Sequence, residues 1–197
     1  IVLEDKGEKL HILDLKDLIL LGDHNVENVL AACAISYYMG IPIPVIEKVA
    51  TSFKAVEHRI EYVDTIDGVD YYNDSKGTNP DAAIKGIKAM VKPTYLIGGG
   101  YDKGSEYDEW INAFDGKVKE LILIGQTADK IEACAHKLGF MNTVKLDNLE
   151  EAVKHCHDKA ENGDAVLLSP ACASWGQFDN YEQRGRMFKE YVLSFKE

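Results

Sequence analysis

The 197-residue sequence lacks the patterns that mark several classes of protein. Its four cysteines are widely spaced and form no Cys-x-x-Cys pair, which argues against a disulfide framework and favours a reducing compartment. No apolar run approaches the roughly 20 residues of a membrane-spanning helix. The formal net charge of −11 argues against the basic stripe of a nucleic-acid-binding surface. We therefore expect a cytoplasmic protein with neither a membrane nor a nucleic-acid partner.

Three kinds of chemical site are also not expected from the sequence. No Gly-x-x-x-x-Gly-Lys-[Ser/Thr] loop is present to cradle a triphosphate. His155-Cys156-His157 suggests metal ligands, but adjacent residues on a helix point to different faces, so we expect no metal site there. Cys172 has no His in its own loop, and we expect a buried structural thiol and not a nucleophile.

Strands and helices alternate along the chain. Short apolar runs bounded by turn residues predict strands: one short segment within 1–20, then 60–65, 69–72, 94–97, 120–124, 143–146 and 165–168. Ile66-Asp67-Gly68 between the strands 60–65 and 69–72 predicts a hairpin. Helical periodicity predicts helices over 25–39, 43–53, 81–90, 127–139, from 148, and 181–195, with Thr127 and Asn148 as the caps of the fourth and fifth. The alternation predicts an α/β fold with a doubly wound, mostly parallel, Rossmann-like sheet and helices on both faces. We place a domain boundary near 51–56.

The turn over residues 73–79, Asn-Asp-Ser-Lys-Gly-Thr-Asn, is the most informative polar segment. It joins a predicted strand to a helix that begins with Pro80 behind an Asn79 cap, and such a helix start attracts anions. Polar loops at 98–104 and 169–179 also follow predicted strands. In an open α/β sheet, ligands bind beyond the carboxyl ends of the strands. The three loops therefore predict one shared site.

With these loops in view, the sequence resembles the Mur ligases, and among them the branch that adds D-glutamate. The matching segments are 22–28, 57–61, 73–79, 98–104 and 167–185. The 73–79 run is the most specific, because sister ligases carry a different sequence at this turn. The resemblance implies an ATP-dependent amide ligase of cytoplasmic peptidoglycan precursor synthesis. It would join D-glutamate to UDP-N-acetylmuramoyl-L-alanine through an acyl phosphate, and we expect a monomer.

The resemblance also implies roles for individual residues. Lys76 is the candidate cation facing the phosphoryl or acyl-phosphate group, and His24 is a candidate catalytic base. The positions that match the nucleotide-binding residues of the family are Asn28, Arg59, Asp74 and Lys76. Those that match the residues holding D-glutamate are Thr78, Lys103, Ser174 and Tyr181.

Plainer interpretations of three of these residues stay open. His24 could equally be a helix cap or an interdomain hydrogen-bond partner. Asn28 could be a surface amide, and Arg59 could form a structural ion pair with Glu57 or Glu61. Departures from the family are Tyr181, where Phe is common, and Trp175-Gly176, where an aliphatic residue or Phe precedes Asp.

In the Mur ligases the triphosphate loop and the Mg²⁺ ligands lie in an N-terminal and a central domain, which the resemblance places upstream of this sequence. Residues 1–53 would then be the tail of the central ATP-binding domain, and residues 54–197 the C-terminal domain. We expect these 197 residues alone to be inactive. The alternatives are another Mur or folylpolyglutamate-type ligase with a different acceptor, and a ligand-binding fragment without catalysis.

Overall fold

The computed structural model describes residues 1–53 and 56–196, with His24 described in its backbone alone. The chain divides into two compact units, Ile1–Ala55 and Val56–Glu197. That division lies in the 51–56 stretch, whereas the identity of the units as a central and a C-terminal domain stays a prediction. No helix in the described ranges is long and apolar enough to cross a bilayer.

The first unit consists of a hairpin and two helices. Strands β1 (Val2–Asp5) and β2 (Glu8–His11) pair antiparallel, so the N-terminal segment holds two strands where the sequence predicted one. After a short 3₁₀ helix, Leu15–Asp17, come α1 (Asp23–Tyr38) and α2 (Ile43–Ser52). The buried core of this unit is Ile12, Leu13, Val29, Cys33 and Ile46.

The second unit is built on a six-stranded sheet. Its strands are β3 (Glu61–Ile66), β4 (Val69–Asn73), β5 (Thr94–Gly99), β6 (Val118–Ile124), β7 (Thr143–Lys145) and β8 (Ala165–Leu168). Their order is β3-β4-β8-β5-β6-β7. The β3–β4 hairpin turns at Asp67-Gly68 and is antiparallel, while the other recorded pairs are parallel. The predicted mostly parallel α/β sheet is confirmed.

Helices cover both faces of this sheet. They are α3 (Pro80–Ala89), α4 (Asp108–Asn112), α5 (Ala128–Lys137), α6 (Leu149–Lys159) and α7 (Tyr181–Ser194). On one face, Ile97 packs in a cluster with Val153 of α6 and Phe188 of α7. On the other face, Gly98 lies so close to the Trp110 ring of α4 that an added Cβ would meet it at 2.7 Å. The five-residue α4 was not predicted.

Two of the three predicted helix caps are confirmed. Asn79 Oδ1 and Asn148 Oδ1 each accept, at 2.9 Å, the N–H three residues further on. The third, Thr127, is wrong as a side-chain cap, because its hydroxyl makes no such bond. It accepts instead from the Gly100 N–H at 3.0 Å, so it anchors the loop that follows β5.

The strand order decides where the polar loops meet. Strands β4, β8 and β5 are adjacent and parallel, with Asn73 opposite Leu168 and Leu168 opposite Ile97. The loops that leave the carboxyl ends of these strands therefore emerge side by side. Sequence segments far apart along the chain converge at one edge of the sheet, where ligands bind in folds of this class.

Candidate functional site

A cavity of about 260 Å³ lies where the three loops meet. It is lined by Thr78, Lys103, Ala173, Ser174, Trp175, Asn180, Tyr181 and Glu182. The four residues that the sequence predicted for the acceptor are all among them. We call this cavity the acceptor pocket. Its geometry brings those four together, while their roles stay predictions.

Hydrogen-bond donors and aromatic rings give the acceptor pocket its chemistry. Lys103 is exposed, and its Nζ lies 4.6 Å from the centroid of the Trp175 ring. Tyr101 meets Trp175 edge-on, with 5.5 Å between ring centroids. An ammonium group with the hydroxyls of Thr78 and Ser174 offers the donors that a carboxylate needs. The pocket therefore suits a small carboxylate-bearing molecule.

Lys76 lies beside this pocket, in the turn before α3. Its Nζ is 5.5 Å from the centroid of the Tyr181 ring. Its backbone N–H donates to the His58 carbonyl at 3.0 Å, which fixes the turn beneath the side chain. The cation and the start of a ten-residue helix together favour an anion at this place.

Asp74 is buried beneath the turn. Its Oδ2 accepts from Ser169 Oγ at 2.7 Å, and its Oδ1 accepts from the Ile60 N–H at 3.2 Å. Burial raises the pKa of Asp74 to about 7, against the lowering effect of the Ser169 and Ile60 bonds. Both oxygens are engaged within the protein. The predicted nucleotide contact of Asp74 stays a prediction, and it requires one carboxylate oxygen to be shared with the nucleotide.

Arg59 sits between two residues with strained backbones. His58 and Ile60 have φ angles of 65° and 44°, in the left-handed region that residues other than glycine seldom adopt. The Ile60 N–H is bonded to Asp74, and the His58 N–H donates to Glu61 Oε2 at 3.0 Å. These bonds hold the strained loop that carries the exposed Arg59.

The proposed ion pair of Arg59 with Glu57 or Glu61 is wrong. Lys189 of α7 takes both carboxylates instead, at 2.7 Å to Glu57 Oε1 and 3.0 Å to Glu61 Oε1. Among the residues that the structure describes, no carboxylate lies within ion-pair distance of Arg59. The predicted nucleotide contact of Arg59 stays a prediction.

His58 is a site residue that the sequence analysis missed. Its ring is buried, and its Nδ1 accepts from Asn73 Nδ2 at 2.9 Å. It fills the space above Gly185 of α7, where an added Cβ would lie 2.2 Å from Nδ1. Burial lowers the pKa of His58. The ring centroid is 6.0 Å from that of Tyr181, so His58 supports one wall of the acceptor pocket.

Arg184 was also missed, although it lies within the matching segment 167–185. It is 1% exposed, and its guanidinium bonds Ser75 and the Cys172 carbonyl. Burial lowers the pKa of Arg184 to about 10, which leaves it charged at neutral pH. The Cys172 thiol is buried too, 3.1 Å from the Tyr107 hydroxyl, and burial raises its pKa. The prediction of a buried thiol is confirmed.

In the first unit, Asn28 lies on the exposed side of α1. It lines an apolar groove of about 380 Å³ between α1 and α2, together with Val29, Cys33 and Ile46. The His24 side chain lies outside the part of the chain that the structure describes. The roles predicted for both residues stay predictions.

The side chains of His155, Cys156 and His157 point to different sides of α6, as expected for consecutive residues on a helix. His155 Nε2 lies 2.7 Å from Glu120 Oε2, while the His157 ring stacks on Phe195 with centroids 3.9 Å apart. Cys156 lies between them and is fully buried. Within residues 1–53 and 56–196, no three His, Cys, Asp or Glu side chains are grouped so as to hold a metal ion.

Residues 58–172 match the family model described as "Mur ligase, glutamate ligase domain". The chain belongs to the Mur ligase family. Two relatives are named UDP-N-acetylmuramoylalanine–D-glutamate ligase. The one from Lachnospira eligens is 62% identical over 92% of this chain, and the one from Clostridioides difficile is 46% identical over 99%. This Mur ligase chain spans about two fifths of their lengths, 40% and 43%.

Solved structures agree on the fold of this Mur ligase chain. The UDP-N-acetylmuramate-alanine ligase of Thermotoga maritima matches with a TM-score of 0.67 at 17% identity, covering 90% of this chain and 39% of that one. The folylpolyglutamate synthase of the same organism matches with a TM-score of 0.63 at 16% identity, covering 90% and 40%. At these identities the likeness concerns architecture alone.

Proposed function

We propose that the protein containing this chain is an ATP-dependent amide ligase that joins D-glutamate to UDP-N-acetylmuramoyl-L-alanine. The observation that carries the proposal is the acceptor pocket, which gathers Thr78, Lys103, Ser174 and Tyr181 from three loops. The names of relatives at 46–62% identity support the same acceptor. The reaction would belong to peptidoglycan precursor synthesis in the cytoplasm, carried out by a monomer.

The pocket residues hold and orient D-glutamate in this proposal. Its two carboxylates need several donors, which Lys103, Thr78 and Ser174 provide. Lys103 supplies a point charge, and the two hydroxyls supply direction. Tyr181 closes the side towards Lys76. A fixed amino acid places its amine for attack and removes much of the entropic cost of bringing two reactants together.

Lys76 stabilises the charge that develops during the reaction. ATP phosphorylates the L-alanyl carboxylate, and the D-glutamate amine then attacks the resulting acyl phosphate and expels phosphate. Both steps place negative charge on oxygens near the start of α3. A fixed ammonium and backbone N–H groups lower the energy of such states. The amine must also lose a proton, for which His24 is the candidate base.

Arg59, Asp74 and Asn28 are assigned to the nucleotide side. The exposed Arg59 is free to reach a phosphate oxygen, whereas Asp74 would share its carboxylate between Ser169 and a ribose hydroxyl. Bound Mg²⁺ would neutralise phosphate charge. The described residues offer no cluster of three side chains that could bind it.

A direct assay of the full-length protein tests the proposal. Phosphate release is measured with ATP, Mg²⁺, UDP-N-acetylmuramoyl-L-alanine and one acceptor at a time: D-glutamate, L-glutamate or a diamino acid. We expect turnover with D-glutamate and little with the other two. Turnover with another acceptor alone would reassign the protein to a sister ligase, and binding without turnover would leave only a ligand-binding function.

A further inference from the structure

Arg184 connects the segments that form the acceptor pocket. Its Nε donates to Ser75 Oγ at 2.9 Å, its Nη2 to the Ser75 carbonyl at 2.8 Å, and its Nη1 to the Cys172 carbonyl at 3.2 Å. Ser75 Oγ in turn donates to the Tyr181 carbonyl at 2.8 Å. One guanidinium and one hydroxyl thus join the turn after β4, the loop after β8 and the start of α7.

Each of these joined residues is close in sequence to a residue that lines the pocket. Ser75 lies three residues before Thr78 in the sequence, and Cys172 is separated from Ser174 by a single residue. Tyr181 lines the pocket itself. The guanidinium therefore connects the segment that carries Thr78 to the segment that carries Ser174.

Stabilisation of the core alone does not explain a buried arginine at position 184. A buried charge is costly unless a counter-charge repays its desolvation. Within the described ranges, no carboxylate pairs directly with Arg184. The buried Asp74 raises the pKa of Arg184 but does not offset the lowering by burial, and the three bonds of the guanidinium go to two carbonyls and a hydroxyl. A planar group with five fixed donors is, however, well suited to holding two loops at a defined spacing.

We propose that Arg184 and Ser75 form a positioning pair that sets the width of the acceptor pocket. The inference rests on the proposed function for its ligand, D-glutamate. Asp74, which is assigned to the nucleotide, also has its own bonds to Ser169 Oγ and the Ile60 N–H, and these do not involve the pair. Loss of the pair should therefore weaken binding of the acceptor far more than that of ATP.

Steady-state kinetics of the full-length protein separate the two ligands. In Arg184→Lys the charge stays but the fork is lost, and we expect KM for D-glutamate to rise about tenfold or more, while KM for ATP stays within about twofold. Ser75→Ala should raise KM for D-glutamate by about threefold or more. The double variant should cost less than the sum of the two, because both remove the same Nε–Oγ bond.

Arg186→Lys is the matched control, since Arg186 is exposed on the same helix, and it should change neither constant. Equal rises in both constants, additive effects in the double variant, or no change in either single variant would overturn the proposal. If Arg184→Lys does not fold, Ser75→Ala alone decides the question by the same split of KM values.

Hydrogen exchange on the same full-length variants tests the geometry without reference to activity. Arg184→Lys and Ser75→Ala should speed exchange in peptides covering 74–79 and 171–175, and leave α6 unchanged. Faster exchange in a protein that does not ligate D-glutamate would keep the positioning pair and reject the proposed function. Unchanged exchange at both loops would reject the positioning pair, whatever the acceptor.

Discussion

Two sides of the acceptor pocket are built in opposite ways. The turn over 74–79 is held in place by its buried residues: Asp74 and Ser75 are buried, and each is hydrogen-bonded to another segment of the chain. The loop over 100–104 is anchored at Gly100 by Thr127, but beyond it Lys103 is exposed and its recorded contact is the half-exposed face of Trp175. The ordered side carries Lys76, where we place the developing charge, and the exposed side carries Lys103, to which we assign recognition of the acceptor.

This difference follows from what each side has to do. Groups that stabilise developing charge are effective when they are fixed before the reaction, because they then need no reorganisation. A group that captures an incoming amino acid must be reachable, and an exposed lysine on a glycine-bearing loop meets that need. The comparison predicts that loss of Lys76 on the ordered side acts mainly on rate and that loss of Lys103 on the exposed side acts mainly on acceptor affinity.

The largest effect is expected on the ordered side. In the full-length protein, Lys76→Ala should lower kcat by about a hundredfold or more, the scale of losing one fixed charge-stabilising donor. Single-turnover measurement of amide formation checks it. Lys85→Ala, which removes an exposed lysine from the following helix, is the control and should be near wild type. A near-wild-type rate for Lys76→Ala would make Lys76 a solvated turn residue.

On the exposed side, Lys103→Ala should raise KM for D-glutamate about tenfold to over a hundredfold, since a charge-assisted hydrogen bond is worth roughly 1.5–3 kcal/mol. KM for ATP serves as the internal control and should change little. Lys103→Arg should not fully restore binding, because a planar fork does not reproduce a point charge on a short loop. Equal rises in both constants would assign Lys103 to the nucleotide.

Burial on the ordered side should be visible in a titration of Asp74. Its folded pKa of about 7 lies above the value near 4 of an unfolded aspartate, so the folded state holds the proton more tightly. Its contribution to the free energy of unfolding is full below about pH 4 and is lost as pH rises to about 7, by up to about 4 kcal/mol.

Carboxyl-carbon NMR of the chain, with Asp74→Asn to assign the signal, measures this pKa. Asp74→Asn keeps an acceptor for the Ile60 N–H, and its stability should lack the fall between about pH 4 and 7. A pKa of Asp74 below about 4.5 would contradict this account, because it would show that Asp74 is ionised in the folded protein at neutral pH.

The smallest effect is expected from the ring beneath Lys103. Trp175→Leu restores the aliphatic residue that is common in the family and removes a cation–π contact worth roughly 0.5–1 kcal/mol at an exposed site. KM for D-glutamate should rise about two- to fivefold, with kcat unchanged. For Trp175→Phe, which keeps an aromatic face, KM for D-glutamate should lie between those of the wild type and of Trp175→Leu. A larger loss for Phe than for Leu would mean that the ring does not orient Lys103.

The sequence predicted the local features and missed those that depend on distant residues. The strand 165–168, the β3–β4 hairpin and the Asn79 cap follow from neighbouring residues, and all are confirmed. Thr127 was taken for a cap because it precedes a helix, yet its partner is Gly100, across the β5–β6 crossover. The five-residue α4 is too short to show helical periodicity.

The same reason explains which site residues were found. The four pocket residues came from the resemblance to the Mur ligases, whose matching motifs lie at strand ends where local sequence marks a loop. Arg184 and His58 act through bonds to Ser75 and Asn73, and no local pattern reveals such pairs. A signal was present for Arg184: a charged residue followed by Gly185 in the middle of a helix. Gly185 is there because the His58 ring fills the space of a side chain.

A crystal structure of the full-length protein with the D-glutamate-bearing product tests the central claim most directly. The account predicts both D-glutamyl carboxylates in the acceptor pocket, within hydrogen-bond distance of Lys103 Nζ and of the Thr78 and Ser174 hydroxyls, with Lys76 Nζ on the side of the new amide. A D-glutamyl group bound elsewhere, or carboxylates in the pocket that do not touch Lys103, would contradict it.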